Sequence, residues 1–227
     1  MEGGKMKVAG FTPNSFVDYP GNIAAVIFFG GCNFDCWFCH NRWLLSVDNL
    51  YDIEEILKRI ETNKDFLDAV VLSGGEATLQ NSRELIELIK RIKAMGLKVK
   101  LDTNGTNYQT LKELLPYLDY VAMDIKAPLS KYREITCIDD NQMISLKNSI
   151  NLLKSGEIDC EFRTTFIPTL TKDDILEIAH TLKGCRHYYL QQYVPVPDKD
   201  IPPHPPKYLI QTQREVSKII PCEIRGI

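Results

Sequence analysis

No stretch of the 227 residues approaches the roughly 18 consecutive apolar positions that a membrane-spanning helix needs. The opening residues, MEGGKMKVAGF, contain no apolar segment of the kind a secretory leader carries. A cytoplasmic location without a membrane partner is therefore expected. Excess positive charge is missing too. The 27 Lys and Arg against 30 Asp and Glu leave a formal charge of −3, so nothing points to a nucleic-acid partner. The chain has no internal repeat and no low-complexity tract, which sets aside solenoids and disordered linkers. What remains is an ordinary soluble composition, 44% hydrophobic and 25% charged, long enough for one sizeable core.

Cysteine is where the composition becomes informative. Seven is an odd count, and in a reducing compartment the default reading is free thiols or metal ligands rather than disulfides. Three fall within eight residues, as Cys32-Asn-Phe-Asp-Cys36-Trp-Phe-Cys39. The other four, Cys137, Cys160, Cys185 and Cys222, are far apart, and cluster ligands come in tight runs. These four read as small buried hydrophobes.

Short β-branched runs alternate with amphipathic stretches. Strands are predicted over 23–29, 69–72, 97–102, 120–124, 161–167 and 188–193. Helices are predicted over 52–62, 82–95, 108–115, 141–154, 173–182 and 207–220. This alternation predicts an α/β fold with a parallel sheet. Six units are two short of a closed eightfold barrel, so a partial (β/α)6 TIM-like barrel is expected. It forms one domain over 1–227, with a core at about 11–193. The segment 194–206 holds six prolines and reads as an extended loop before the last helix.

The polar motifs all follow predicted strands. The cysteine loop follows the first, Ser73-Gly74-Gly75-Glu76 the second, Asp102-Thr103-Asn104-Gly105 the third and Asp124-Ile125-Lys126 the fourth. In parallel α/β folds that rim is where ligands bind. Three thiolates can hold three irons of a [4Fe–4S] cube and leave the fourth open, whereas electron-transfer clusters take four cysteines. The competing reading is a zinc site with His40 as fourth ligand, although structural zinc sites come as two spaced pairs. Glycine permits close backbone approach and positive φ, so the Gly74 and Gly75 carbonyls and Glu76 suit an ammonium group. Asp102 and Asp124 would repel a bound carboxylate unless something positive intervenes, with Lys126 or a bound cation as candidates. Arg163 sits in an otherwise apolar strand and needs a partner, either a ligand or a rim carboxylate.

The spacing Cys32-x3-Cys36-x2-Cys39, with Phe38 before the last cysteine, resembles the defining motif of the radical S-adenosylmethionine (SAM) superfamily, and Gly74-Gly75-Glu76 resembles its SAM-binding glycine motif. The resemblance runs from about Phe11 to Tyr193. It implies that SAM chelates the open iron and that one electron from the reduced cluster breaks the S–C5′ bond. The resulting 5′-deoxyadenosyl radical then takes a hydrogen atom from the substrate. Ala77 stands where members of the superfamily usually carry proline. The Asp-Thr-Asn-Gly and Asp-x-Lys pair resembles glycyl-radical activating enzymes. There the equivalent residues, carried over as Asp102, Thr103, Asp124 and the Ala122 carbonyl, gather a monovalent cation beside SAM. Relatives can use a histidine on the sixth strand, but Gln191 and Tyr193 stand near that place.

Within the superfamily, Asp18-Tyr19-Pro20-Gly21, followed by Gly-Cys-Asn and Cys-His-Asn, looks like the activating protein of anaerobic (class III) ribonucleotide reductase. The implied substrate is a glycine Cα–H of a partner glycyl-radical enzyme. The implied reductant is a low-potential donor such as flavodoxin or ferredoxin. Two other readings stay open. One is a small-molecule radical SAM enzyme such as 7-carboxy-7-deazaguanine synthase. The other is a non-catalytic iron–sulfur electron-transfer protein, which would need no SAM motif.

Overall fold

The computed structural model describes residues 6–197 and 199–227. Residues 1–5 and Asp198, which the single-domain and proline-loop expectations include, lie outside them. Eight strands form one sheet whose spatial order follows the chain. Strand β1 (Val8–Ser15) runs antiparallel to β2 (Ala24–Phe29). From β2 onward every pairing is parallel, through β3 (Ala69–Gly74), β4 (Lys98–Thr103), β5 (Tyr120–Asp124), β6 (Asp159–Phe166), β7 (Tyr188–Gln192) and β8 (Cys222–Arg225). Among the described residues no pairing joins β8 to β1. The partial barrel therefore holds seven parallel strands rather than six, with β1 added at the other edge.

Helices α1 (Ile53–Asn63), α2 (Ser82–Ala94), α3 (Tyr108–Leu114), α4 (Tyr132–Thr136), α5 (Asp140–Lys154), α6 (Lys172–Thr181) and α7 (Pro206–Val216) lie in the crossovers. Local chemistry starts them where the sequence suggests. Asp52 caps α1 and Asn81 caps α2 through side-chain oxygens, while Asp139 with Gln142 and Thr171 with Asp174 close capping boxes on α5 and α6. Each cap contributes about 1 kcal/mol.

Strand alternation divides the sheet into two faces. Ile27, Leu72, Leu101 and Met123, each fully buried, join the helices in the main core. Burying side chains of this size stabilises by about 1.5–3 kcal/mol each. The opposite, inner face is apolar only near its first strands, where Tyr19, Ala24, Val26, Ala69 and Val71 cluster. Further along, that face carries charge. Lys100 and Asp102 share it on β4, and Glu161 and Arg163 share it on β6. Lys100 is 1% exposed. Its Nζ donates to the Asp18 carbonyl at 2.5 Å and lies 2.8 Å from Asp102 Oδ1. The Asp18-Tyr19-Pro20-Gly21 turn is thereby pinned to the inner face.

Candidate active site

A cavity of about 360 Å³ occupies the inner face and the carboxyl-end rim. All twelve site residues singled out from the sequence line it: the three cysteines, Phe38, Gly74, Gly75, Glu76, Asp102, Thr103, Asp124, Lys126 and Arg163.

The cysteine loop leaves β2 through Gly30 and Gly31, whose amides donate to the carbonyls of Lys7 (2.7 Å) and Leu44 (2.6 Å). Phe34 and Phe38 are buried and anchor the loop, with Phe34 6.2 Å from the Tyr132 ring and Trp37 packed edge-on between Phe38 and Tyr193. Arg42 donates to the Cys36 carbonyl at 3.1 Å and pairs with Asp35. Burial pushes the Cys32 thiol up and the Cys36 thiol up to about 11, so ligation must remove protons from both. Among the described residues, no three His, Cys, Asp or Glu side chains converge closely enough to share one ion. Three thiols lining one cavity without converging on a point suit the separate corners of a cube better than a single zinc. His40 is not positioned as a fourth ligand. Its Nε2 lies 3.0 Å from the Val194 carbonyl and ties the cysteine loop to the proline-rich segment.

The glycine motif is held against that loop. Gly75 N donates to the Phe29 carbonyl and Glu76 N to the Gly31 carbonyl, both at 2.9 Å. Gly74 has φ +123, and a Cβ on Gly75 would lie 2.0 Å from the Gly31 oxygen. Glycine is therefore required by the packing of two backbones as well as by ligand approach. Glu76 is 1% exposed. Its Oε1 accepts from Thr78 N (3.1 Å), Thr78 Oγ1 (2.6 Å) and Thr103 Oγ1 (2.8 Å), and its Oε2 from Asn104 N (2.6 Å). Burial raises its pKa and these donors oppose the rise. The carboxylate clamps the ends of β3 and β4 together beside the cavity, and Oε2, with one donor, keeps accepting capacity.

Asp102 and Asp124 do not stand as bare carboxylates. Arg163 Nε donates to Asp124 Oδ1 at 2.8 Å, Lys126 Nζ to Asp124 Oδ2 at 3.0 Å, and Ser73 Oγ to Asp102 Oδ2 at 2.9 Å. Burial alone would raise the Asp124 pKa, but Arg163 and Lys126 outweigh it and hold the group well below the usual carboxylate range. Arg163 NH1 also lies 3.6 Å from Asp102 Oδ1. Arg163 thus has rim carboxylates as partners, and Lys126, one of the two candidate sources of positive charge, stands against Asp124.

Several residues that join the parts of this site escaped sequence reasoning. Asn33 donates to Thr106 Oγ1 and accepts from Asn104 Nδ2, joining the cysteine loop to the turn after β4. Lys100, Glu161 and Arg225 complete the charged inner face. Their signal was present in the period-2 spacing Lys98-x-Lys100-x-Asp102 and Glu161-x-Arg163.

A family model described as the radical SAM superfamily matches residues 26–182. A Methanocaldococcus jannaschii protein assigned as a glycyl-radical enzyme activating enzyme is 40% identical over 198 residues, covering 84% of this chain and 81% of its own. A pyruvate formate-lyase-activating enzyme of Clostridium pasteurianum is 31% identical over 188 residues, 79% of this chain and 77% of its own. The crystal structure of Streptococcus suis SuiB bound to S-adenosylmethionine superposes with a TM-score of 0.69 at 14% identity. That match covers 88% of this chain and 52% of the other. The chain thus spans about half of SuiB, and that likeness speaks for the fold. Among the described residues no helix is long and apolar enough to cross a membrane. With the superfamily model spanning most of the sheet and close relatives of one kind, this chain belongs to the radical SAM superfamily, in its glycyl-radical enzyme activating family, whose cofactors are a [4Fe–4S] cluster and SAM.

Proposed function

We propose that this enzyme removes a Cα hydrogen from a glycine of a partner glycyl-radical enzyme, with anaerobic ribonucleotide reductase as the partner. The observation that carries the reading is the meeting of Cys32, Cys36 and Cys39 with Gly75, Glu76 and Asp124 along one cavity. When bound, the cluster and SAM supply the one-electron cleavage that yields a hydrogen-abstracting radical. The chain's own residues bind and orient. Cys32, Cys36 and Cys39 hold three irons beside Phe38. The Gly74-Gly75 turn and Glu76 Oε2 receive an ammonium group. Lys126 and Arg163 offset a carboxylate beside Asp102, Thr103 and Asp124. Glycine suits such a site because its Cα is approached without a side chain in the way. Half-exposed Leu79, after the glycine motif, and Val194, where the proline-rich segment begins, offer apolar contacts to a protein partner. A flavodoxin- or ferredoxin-like donor supplies the electron.

Mixing cluster-loaded protein, SAM, a reductant and the candidate reductase without oxygen should give a glycyl radical doublet by electron paramagnetic resonance. Deuterium placed on the target glycine should appear in 5′-deoxyadenosine. The 31% identical activase makes a pyruvate formate-lyase-type partner the second reading, and the same assay with that partner separates the two. Deuterium arriving only from a free pterin-like molecule would instead support the deazaguanine-type reaction.

The monovalent cation implied by the sequence resemblance belongs to the same proposal. Lys126 and Arg163 already occupy the Asp124 oxygens, so an ion would enter by displacing Lys126 Nζ toward the SAM carboxylate. SAM affinity should then differ among potassium, sodium and a bulky organic cation, and Asp124→Asn should flatten the difference. Equal affinities in the three salts would assign the positive charge to Lys126 alone.

A further inference from the structure

The charged inner face extends beyond the residues assigned to SAM. Glu161 on β6 is fully buried. Its two oxygens accept from Arg225 NH1 at 2.9 Å and NH2 at 2.8 Å, and Oε2 also accepts from the Tyr120 hydroxyl at 3.1 Å. Arg225 comes from β8, the edge strand, and its guanidinium lies 3.3 Å from the centre of the Tyr189 ring. This fork-to-fork pairing with ring stacking is geometry that lysine cannot reproduce. On its other side, Glu161 Oε1 is 3.8 Å from Arg163 NH1, and Arg163 Nε is the 2.8 Å donor to Asp124. Arg163 therefore stands between the buried Glu161 and the partly buried Asp124 and turns its closer bond to Asp124.

We infer that Arg225 is a positioning residue for the SAM site: it satisfies Glu161, and Arg163 is thereby left to Asp124. The inference rests on the proposed assignment of Asp124 and Arg163 to SAM. Without Arg225, the nearest cation to Glu161 is Arg163, and an uncompensated buried carboxylate draws an adjacent guanidinium strongly. Arg163 then leaves Asp124, and Asp124 and Asp102 regain the negative field that a bound carboxylate must avoid. The effect is directional. Removing the charge of Glu161 as well releases Arg163 back to Asp124.

The test measures SAM affinity by equilibrium dialysis on cluster-loaded protein, with iron content and melting temperature recorded for every variant. Arg225→Gln should weaken SAM binding about tenfold, within the range seen for residues that modulate binding without touching the ligand. Arg225→Lys should recover part of that loss. Glu161→Gln alone should bind SAM as the parent does, because Arg225 is partly exposed and stays solvated. The double variant Arg225→Gln/Glu161→Gln should return to near-parental affinity. A merely structural role makes the double variant as weak as Arg225→Gln or weaker, and that result overturns the inference. So does parental affinity in a folded Arg225→Gln protein. If that single variant fails to load its cluster, a weakened Glu161→Gln protein is the overturning result. A parental protein that binds no SAM defeats the site assignment instead, which keeps the two failures apart.

Discussion

Cys32→Ala, Cys36→Ala and Cys39→Ala proteins, reconstituted without oxygen, should each fail to hold the roughly four irons that a cube requires. Two thiolates cannot fix three corners, and the loop offers no replacement, since His40 is tied to the Val194 carbonyl. Alanine at Cys137, Cys160, Cys185 or Cys222 should leave loading unchanged. Cys160, Cys185 and Cys222 are buried, and burial pushes their thiols up to about 11, 11 and 12, so they stay protonated and unreactive. Cys137 is exposed and is absent from the cavity lining. Iron analysis with absorption spectroscopy checks the series, and full loading of the triple variant would remove the cluster from this loop.

Gly75→Val should abolish measurable SAM binding, and the structure adds a second effect. The sequence suggests that valine obstructs SAM and spares the cluster. The Cβ at this position, however, would lie 2.0 Å from the Gly31 oxygen and 3.3 Å from the Cys32 Cβ. Both atoms belong to the segment that carries the first thiol. The turn after β3 must move away, breaking the bonds from Gly75 N to Phe29 and from Glu76 N to Gly31. Iron content should therefore fall together with SAM affinity. Gly21→Ala serves as the control, since nothing lies within 4 Å of a Cβ there. It meets only the strain of its φ of +69 and should change neither property. A Gly75→Val protein with full iron and parental affinity would contradict this packing account.

Parallel strands β2 to β7 and the long helices were legible because apolar periodicity, caps and β-branched runs agreed over 5 to 15 residues. Strand β1 was not legible. Val-Ala-Gly-Phe-Thr-Pro-Asn-Ser contains glycine, proline and asparagine, and its register shifts twice along β2. Such a strand survives at an edge, where missing donors do no harm. Strand β8, four residues long, and α4, five residues long, are too short to display a period. The residues that the individual motifs single out meet along one cavity, because each motif lies within one loop. Relations between loops stayed hidden. The acceptance of Thr103 and Asn104 by Glu76, and of Arg225 by Glu161, spans 27, 28 and 64 residues, and nothing in the local sequence encodes such pairings. Lys100 gave no sign of its burial, because lysine is almost never buried. The carboxylate beside it, Asp102, lies two residues along the same strand, but the carbonyl that completes its burial, that of Asp18, comes from the turn before β2.

Because spatial order follows chain order, the sheet can be laid down as the polypeptide leaves the ribosome. Each new strand finds its neighbour already in place, and the only loops to close are those between successive strands. The thiols are presented early, with β2 and its loop, and the SAM-facing turns follow one by one. Glu161 emerges well before Arg225 does. In the interval its carboxylate has no partner from β8, so a nascent sheet ending at β7 holds a buried acid beside Arg163. Chains truncated before residue 222 should therefore be more susceptible to protease at β6 and β7 than chains that include β8.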